Sequence, residues 1–338
     1  MRRTTTAALA AAATTLSLVL LPGTAHAAET ITPAEAVADV HAVAAATATA
    51  VGTTGFTEWS TSANAEDWAF AYDPVRHVRE ERLKYRTDTT AVYVMNGVAT
   101  YVPIVRNALT RAGLVIAGKP AATWEYYLVP RTEADLSRLA HDDLLDPVTA
   151  PDPAKPYLTV VSAATRTVSP DGSTQWALTG VDGAGNQVDY TVSSDTTGRL
   201  ASMHIVRTNA RGSFVDDEHI TYAKPAIPVL TRADVIPRAT LAIARDCVGL
   251  RSRVAKVVLA TASGAAAHAK ALHRGLRASD IRGYAKYYVQ RADALTLLIR
   301  WRSVTGGALI YATNPFSKAQ VAYLVRVRSG KPAITLVH

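Results

Sequence analysis

Two hydrophobic periods alternate along this chain. Residues 34–50 are Ala-rich, with Val37, Val40 and Val43 roughly on one side, and Thr32-Pro33 ahead of them has the form of an N-cap with proline at the first helical position. This pattern predicts a helix. Beyond Gly52 the period becomes two. Trp68, Phe70 and Tyr72 alternate with Ala69 and Ala71, and Val98, Thr100, Val102 and Ile104 alternate across the next clear strand. Asn96-Gly97 between two such runs is a hairpin signal. Helical patches are predicted over residues 105–112 and around 131–145; between them Trp124, Tyr126 and Leu128 share one face of a strand.

Residues 157–223 carry the clearest strand pattern. Turn clusters at Ser169-Pro170-Asp171-Gly172, Asp182-Gly183-Ala184-Gly185-Asn186, Asp195-Thr196-Thr197-Gly198 and Asn209-Ala210-Arg211-Gly212 recur about every dozen residues and predict a five-stranded antiparallel meander. With the earlier strands the total is about ten or eleven, which must curl into a barrel-like sheet or split into a sandwich. From Arg232 to about Leu276 the chain is helix-compatible, and Gly249, Gly264 and Gly275 interrupt it, which favours two helices; Ser279 caps a further helix to about Asp293. Strands then return. Leu297, Ile299 and Trp301 alternate with Leu298, Arg300 and Arg302, while Val321, Tyr323, Val325 and Val327 alternate with Ala322, Leu324, Arg326 and Arg328 before Ser329-Gly330-Lys331 turns the chain back. Paired, these strands place Arg300, Arg302, Arg326 and Arg328 together on the side opposite the apolar one. The expected class is α+β: a half-barrel antiparallel sheet with packed helices, then a smaller α+β domain.

Charge and targeting signals divide the chain further. Its 338 residues suffice to bury a core, and the single cysteine, Cys247, excludes an internal disulfide framework and a cysteine-built metal site. Arg2 and Arg3, an apolar run over 7–21 and the small-x-small Ala25-His26-Ala27 form a secretory signal peptide over 1–27. The expected mature protein is exported, soluble and not lipid-anchored, with no transmembrane span. Residues 28–230 hold 16 Lys and Arg against 24 Asp and Glu, a net of −8, whereas residues 231–338 hold 18 against 4, a net of +14. The change follows Lys224-Pro225-Ala226-Ile227-Pro228, a linker-like segment, and sets an expected domain boundary at 230.

The stretch DTTGRLASMHIVRTNARGSFVDDEHITYAKPAIPVL, in which a turn ending at Gly198-Arg199-Leu200 precedes two strands closing at Tyr222 and Pro225-Ala226-Ile227-Pro228, joins the strand order and the mid-domain helices in one pattern. Over roughly residues 30–228 it resembles the bacterial lipoprotein and lipid carriers of the LolA type and their actinobacterial relatives of the LppX and LprG group. The resemblance implies a half-open barrel whose concave apolar face takes up acyl chains. Trp68, Phe70, Tyr72, Val102, Ile104, Trp124, Tyr126, Leu128, Trp176, Leu178, Val188 and Tyr190 would line it; alternatively they are ordinary sheet-core residues. An α+β module behind such a domain also resembles, in architecture, the periplasmic sigma-factor regulator RseB. The Arg face reads as a polyanion contact, for anionic lipid head groups, an envelope polymer or an acidic partner protein. The alternatives are docking on the acidic domain and simple solvation. Nucleic acid fits the charge but not an exported location.

Local catalytic motifs are absent: there is no nucleophile elbow, Walker loop or HExxH. Gly183-Ala184-Gly185 joins two strands rather than opening a helix. Asp216-Asp217-Glu218-His219 lies in the meander, where successive side chains point to opposite faces and cannot all converge on a cation. His141-Asp142-Asp143 reads as a solvated terminus, His268 and His273 do not share a helix face, and Cys247 has no evident activating pair. No cofactor is expected. The leading expectation is a secreted envelope protein that binds a lipid or lipidated ligand in an apolar groove and uses its basic domain for contact. The alternatives are an envelope-stress or signalling regulator that grips a partner protein and an enzyme with a dispersed active site.

Overall fold

The computed structural model describes residues 27–62, 66–85, 90–139, 158–292 and 298–337. The leader through His26, the His141-Asp142-Asp143 cluster and Leu297 lie outside the described residues. In chain order the first elements are β1 (Glu29–Ile31), α1 (Pro33–Thr54), β2 (Phe56–Ser62), β3 (Glu66–Asp73), β4 (Val78–Tyr85), β5 (Thr90–Met95), β6 (Ala99–Pro103), α2 (Ala108–Ile116), β7 (Trp124–Leu128) and α3 (Glu133–Ser137). The meander follows as β8 (Leu158–Val168), β9 (Thr174–Asp182), β10 (Gln187–Ser194), β11 (Leu200–Asn209) and β12 (Gly212–Thr221). The chain ends with β13 (Val235–Pro237), α4 (Arg238–Cys247), α5 (Leu250–Ala271), α6 (Ala278–Ala292), β14 (Ile299–Val304), β15 (Gly307–Thr313), β16 (Gln320–Arg328) and β17 (Lys331–Val337). The class is α+β, with a 13-stranded sheet that does not close into a barrel and a separate four-stranded sheet.

Contacts divide the described residues into two compact units, each built from separated segments: those through 53 with those within 58–67 and 139–222, and those within 54–57, 68–138 and 223–338. In the first unit the strand order is β1-β8-β9-β10-β11-β12-β2. Its hairpin turns are held by acidic or amide side chains that accept backbone N–H groups, which supplies the turn with partners that a strand ladder cannot. Asp182 accepts from the N–H groups of Ala184 and Asn186 at 2.9 and 2.8 Å, and Asp195 from those of Thr197 and Arg199 at 2.8 and 3.0 Å. Asn209 accepts from Arg211 N–H at 2.7 Å.

Helix α1 begins with a reciprocal cap: Thr32 Oγ1 accepts from Glu35 N–H, and Glu35 accepts from the Thr32 N–H at 2.8 Å. Among the described residues α1 is the helix long and apolar enough, by length and composition, to cross a membrane. Its Ala36, Val40, Val43, Thr47, Ala50 and Val51 are buried. The indole N–H of Trp176 on β9 donates to Asp39 at 2.9 Å, the N–H of Leu200 on β11 donates to Thr47 Oγ1 at 2.9 Å, and Arg166 on β8 pairs with Asp39 at 3.2 Å. One face of the meander is therefore the floor on which α1 packs.

In the second unit the order β3-β4-β5-β6-β7-β13 ends in a parallel pairing of β13 with β7. The Asn96-Gly97 hairpin forms as its sequence indicates, with Asn96 Oδ1 accepting from the N–H groups of Val98 and Ala99. Helix α2 starts later than the expected 105, because Asn107 caps it through the Thr110 N–H at 2.8 Å. Ile104, Leu114, Ala122, Ile236 and Leu241 make one small core, and α5, α6 and β14–β17 make another around Val254, Val258, Ile281, Ile310 and Val325.

Two expectations for these helices are corrected. Gly249, at φ +67°, does break the chain between α4 and α5, but Gly264 lies inside α5. A Cβ there would come within 2.8 Å of the Tyr284 ring, so this glycine serves the close packing of α6 on α5. Ser279 lies inside α6 rather than capping it; Asp280, also in the first turn, reaches back to accept from the N–H of Arg277, just before the helix, at 2.9 Å.

Candidate polyanion-binding face

The four-stranded sheet shows why its alternation matters. Pairing of β14 with β15 sets Ile299 opposite Ala312 and Trp301 opposite Ile310; β16 then adds Val321, Tyr323 and Val325 to the same side. Helices α5 and α6 pack there. Since the side-chain period is two, every residue between these points the other way.

That outer face is ordered in rows. Arg300 lies opposite Tyr311, which lies opposite Ala322 and then Val337; Arg302 lies opposite Leu309, then Leu324, then Thr335. In the next row Val304, Gly307, Arg326 and Ala333 follow one another, and Arg328 closes the hairpin against Lys331. Arg300, Arg302, Arg326, Arg328 and Lys331 are exposed, whereas Leu309, Tyr311 and Leu324 are half-buried among them. The structure thus brings all four arginines expected at this site onto one face. Residues 298–337 contain six Lys and Arg and no Asp or Glu. Among the described residues none of the four guanidinium groups is paired with a carboxylate. The sheet is held in place from beneath: Arg282 of α6 donates to the carbonyls of Val304 and Gly307 at 3.2 Å, fixing the β14–β15 turn.

The twelve residues expected to line an apolar groove are distributed differently. Trp176, Leu178, Val188 and Tyr190 belong to the first unit and are buried on the meander face that carries α1. The other eight belong to the second unit. There Phe70, Tyr72 and Ile104 are buried, Trp68, Val102, Trp124 and Tyr126 are half-buried, and Leu128 is 74% exposed. The β6–β7 register pairs Val102 with Glu125 but Tyr101 with Tyr126, so Val102 faces away from Trp124, Tyr126 and Leu128. Half the signal for this split lay in the sequence, since Val102 and Tyr126 each alternate cleanly; the register between them did not.

Other chemically capable groups are already engaged. Asp217 and His204 pair at 2.6 Å on one face of the meander, and His219, on that same side of β12, stacks on Trp59 with ring centroids 4.2 Å apart. Asp216 and Glu218 point to the opposite side. Among the described residues no three His, Cys, Asp or Glu side chains are grouped to hold a metal ion. Cys247 is buried, and burial pushes its thiol upward, away from the thiolate a nucleophile needs. A cleft of about 230 Å³ between α5 and α6 is lined by His268, Ser279, Asp280, Gly283, Tyr284 and Tyr287. Its carboxylate is not free for proton transfer. Arg274 grips Asp280 with two hydrogen bonds of 2.7 Å and holds the carboxyl down at about 2, too weak a base for general acid–base work near neutrality.

No protein-family model matches the chain, and no curated protein matches it. Among solved structures it is similar to that of an uncharacterized conserved protein from Thermus thermophilus, at 10% identity and a TM-score of 0.28, over 61% of this chain and 100% of that one. At that score the likeness carries nothing for fold or function.

Proposed function

We propose that this is an exported envelope protein whose C-terminal sheet docks on a polyanion through Arg300, Arg302, Arg326 and Arg328. The reading is carried by one observation: these four exposed guanidinium groups share a sheet face in a segment without a single acidic residue. An Arg-rich surface without internal counter-charges keeps its field directed outward, and each cationic side chain near an anionic surface is worth about 1 kcal/mol. Four together correspond to about a thousandfold in affinity. The export signal over 1–27 belongs to the same proposal, since it places the face where anionic envelope components are met.

A fourfold substitution tests it: Arg300→Gln, Arg302→Gln, Arg326→Gln and Arg328→Gln in the full chain. All four side chains are exposed, so the melting temperature should hold, while binding to immobilised polyphosphate and to phosphatidylglycerol vesicles should fall by about a hundredfold or more. Unchanged binding to both would remove the reading.

The LolA-type carrier remains a separate proposal, supported by the strand pattern and by the exposed Leu128 on the second unit's sheet. It asks α1 to leave the floor formed by Trp176, Leu178, Val188 and Tyr190, or the second unit to supply the groove alone. Co-purified lipid in native mass spectrometry is its expected mark, and a clean apo mass with no uptake of fluorescent fatty acid would end it.

A further inference from the structure

We infer that the polyanion met by the outer face of β14–β17 is an anionic lipid bilayer rather than a soluble polymer; this deepens the reading above and rests on it. Charge alone does not choose between the two. The apolar residues between the charges do.

Consider what lies inside the arginine frame. The row that begins at Arg302 continues through Leu309 and Leu324, and the row that begins at Arg300 continues through Tyr311 and Ala322 to Val337, which is 41% exposed. These side chains are on the side away from α5 and α6, whose core is made by Ile299, Ala308, Ile310, Ala312 and Val325. The centre of the face is therefore leucine and tyrosine, with the buried Ala322 between them and Val337 beside it on the edge strand β17. Its cations occupy the β14 edge, through Arg300 and Arg302, and the hairpin end, through Arg326, Arg328 and Lys331.

A soluble polyphosphate offers charge to that frame and nothing to its centre. An anionic bilayer offers both. Lipid phosphates lie in one plane, with hydrocarbon a few ångströms below and an interface that favours tyrosine. Arginine stems can follow the apolar surface while their heads stay at the phosphate level. No acid within residues 298–337 opposes the approach. The occupant is thus a bilayer surface carrying anionic head groups, contacted by a sheet face rather than crossed by a helix.

The full chain is the material to test, against phosphatidylcholine vesicles containing a third phosphatidylglycerol, pure phosphatidylcholine vesicles and free polyphosphate. The double variant Leu309→Ser/Leu324→Ser should weaken binding to the anionic vesicles by about tenfold. It should leave polyphosphate binding within about twofold, because the cations are untouched. A second measurement needs no variant: as salt is raised to about 0.5 M, polyphosphate binding should vanish while part of the vesicle binding persists, since apolar burial is not screened. If the leucine variant binds both targets as the parent does, or salt removes both together, the partner is a soluble polyanion and this inference falls while the arginine reading stands. Binding to pure phosphatidylcholine as tight as to anionic vesicles would also overturn it. Loss of neither target in the fourfold arginine variant would instead strike the underlying reading.

Discussion

The meander β8–β12 and the C-terminal sheet β14–β17 are built on one plan and end with opposite surfaces. Each is an antiparallel ladder with one side covered by helix, α1 in the first case and α5 with α6 in the second. On the meander's other side the polar groups answer one another: His204 with Asp217 at 2.6 Å, Thr179 with Asp189 at 2.9 Å, and Trp59 stacked on His219. Even the turns consume their acids. On the outer face of the C-terminal sheet the charged groups are Arg300, Arg302, Arg326, Arg328 and Lys331, all of one sign, and the connecting turns use Gly306, Asn314 and Ser329-Gly330 in place of aspartate. A face that pairs its own charges has little left to offer a partner, whereas a face of one sign retains its field. The difference is made by which polar residues fill the alternate positions of the strand, not by the backbone.

The largest effect that would break this contrast is on packing. Leu178, 1% exposed under α1, should cost about 2–5 kcal/mol when cut to alanine, because a buried leucine leaves a cavity that its surroundings fill only in part. Leu309→Ala on the outer face of the C-terminal sheet should cost less, about 1–2 kcal/mol, since that side chain is only partly buried. Urea unfolding of both variants measures the pair. Equal losses would mean that the outer face of β14–β17 is as covered as the meander floor, and a docking surface would be lost.

Turn chemistry gives a smaller contrast. Asp182 is buried, accepts two backbone N–H groups and the Asn186 side-chain amide at 2.8 Å, and lies 3.6 Å from Arg207. Asp182→Ala leaves those donors unmatched and should cost about 2–3 kcal/mol. The equivalent loop residue of the C-terminal sheet, Asn314, accepts from Phe316 and Ser317 N–H groups in a half-buried turn without a charged partner. Asn314→Ala should cost about 1 kcal/mol. Similar values for the two would show that the buried ion at Asp182 adds nothing to a plain amide turn.

Much of this arrangement was legible from residue order, and the limits have physical causes. Period-two alternation reports which residues share a face of one strand, so the meander, its turns and the four-arginine face follow from it directly. Alternation does not report register, and Val102 and Tyr126 each fit a strand while the pairing with Glu125 and Tyr101 sends them to opposite sides. Glycine likewise has two meanings in a sequence. Gly249 is a break because φ is positive there; Gly264 is a contact because Tyr284 needs the space, and only the neighbouring helix distinguishes them. The two compact units are also assembled from separated segments, which no local composition shift encodes.

Acid titration should separate the two regions by the least. In the meander, Asp171 is lowered by the Ser173 hydroxyl; for Asp182 and Asp195 burial opposes ionisation and the hydrogen bonds from Asn186 and Arg199 outweigh it. Near the C-terminal sheet the corresponding group is Asp280 at about 2, held down first by Arg274. A carboxyl lowered on folding, from an unfolded value of about 3.9, stabilises fully above that value and loses its contribution as pH falls through the folded one. Wild-type stability should therefore decline between about pH 4 and pH 2, with the several meander carboxyls and Asp280 all contributing. Asp280→Asn cannot ionise, so its stability deficit against wild type should be largest above about pH 4 and shrink toward pH 2. The effect should be small, because the Arg274 side chain is 25% exposed and water screens the pair from that side. Thermal melts of the two chains across that window provide the measurement. A deficit that stays constant to the acid end would show that Asp280 stabilises α6 by shape and capping alone, leaving the meander as the seat of acid sensitivity.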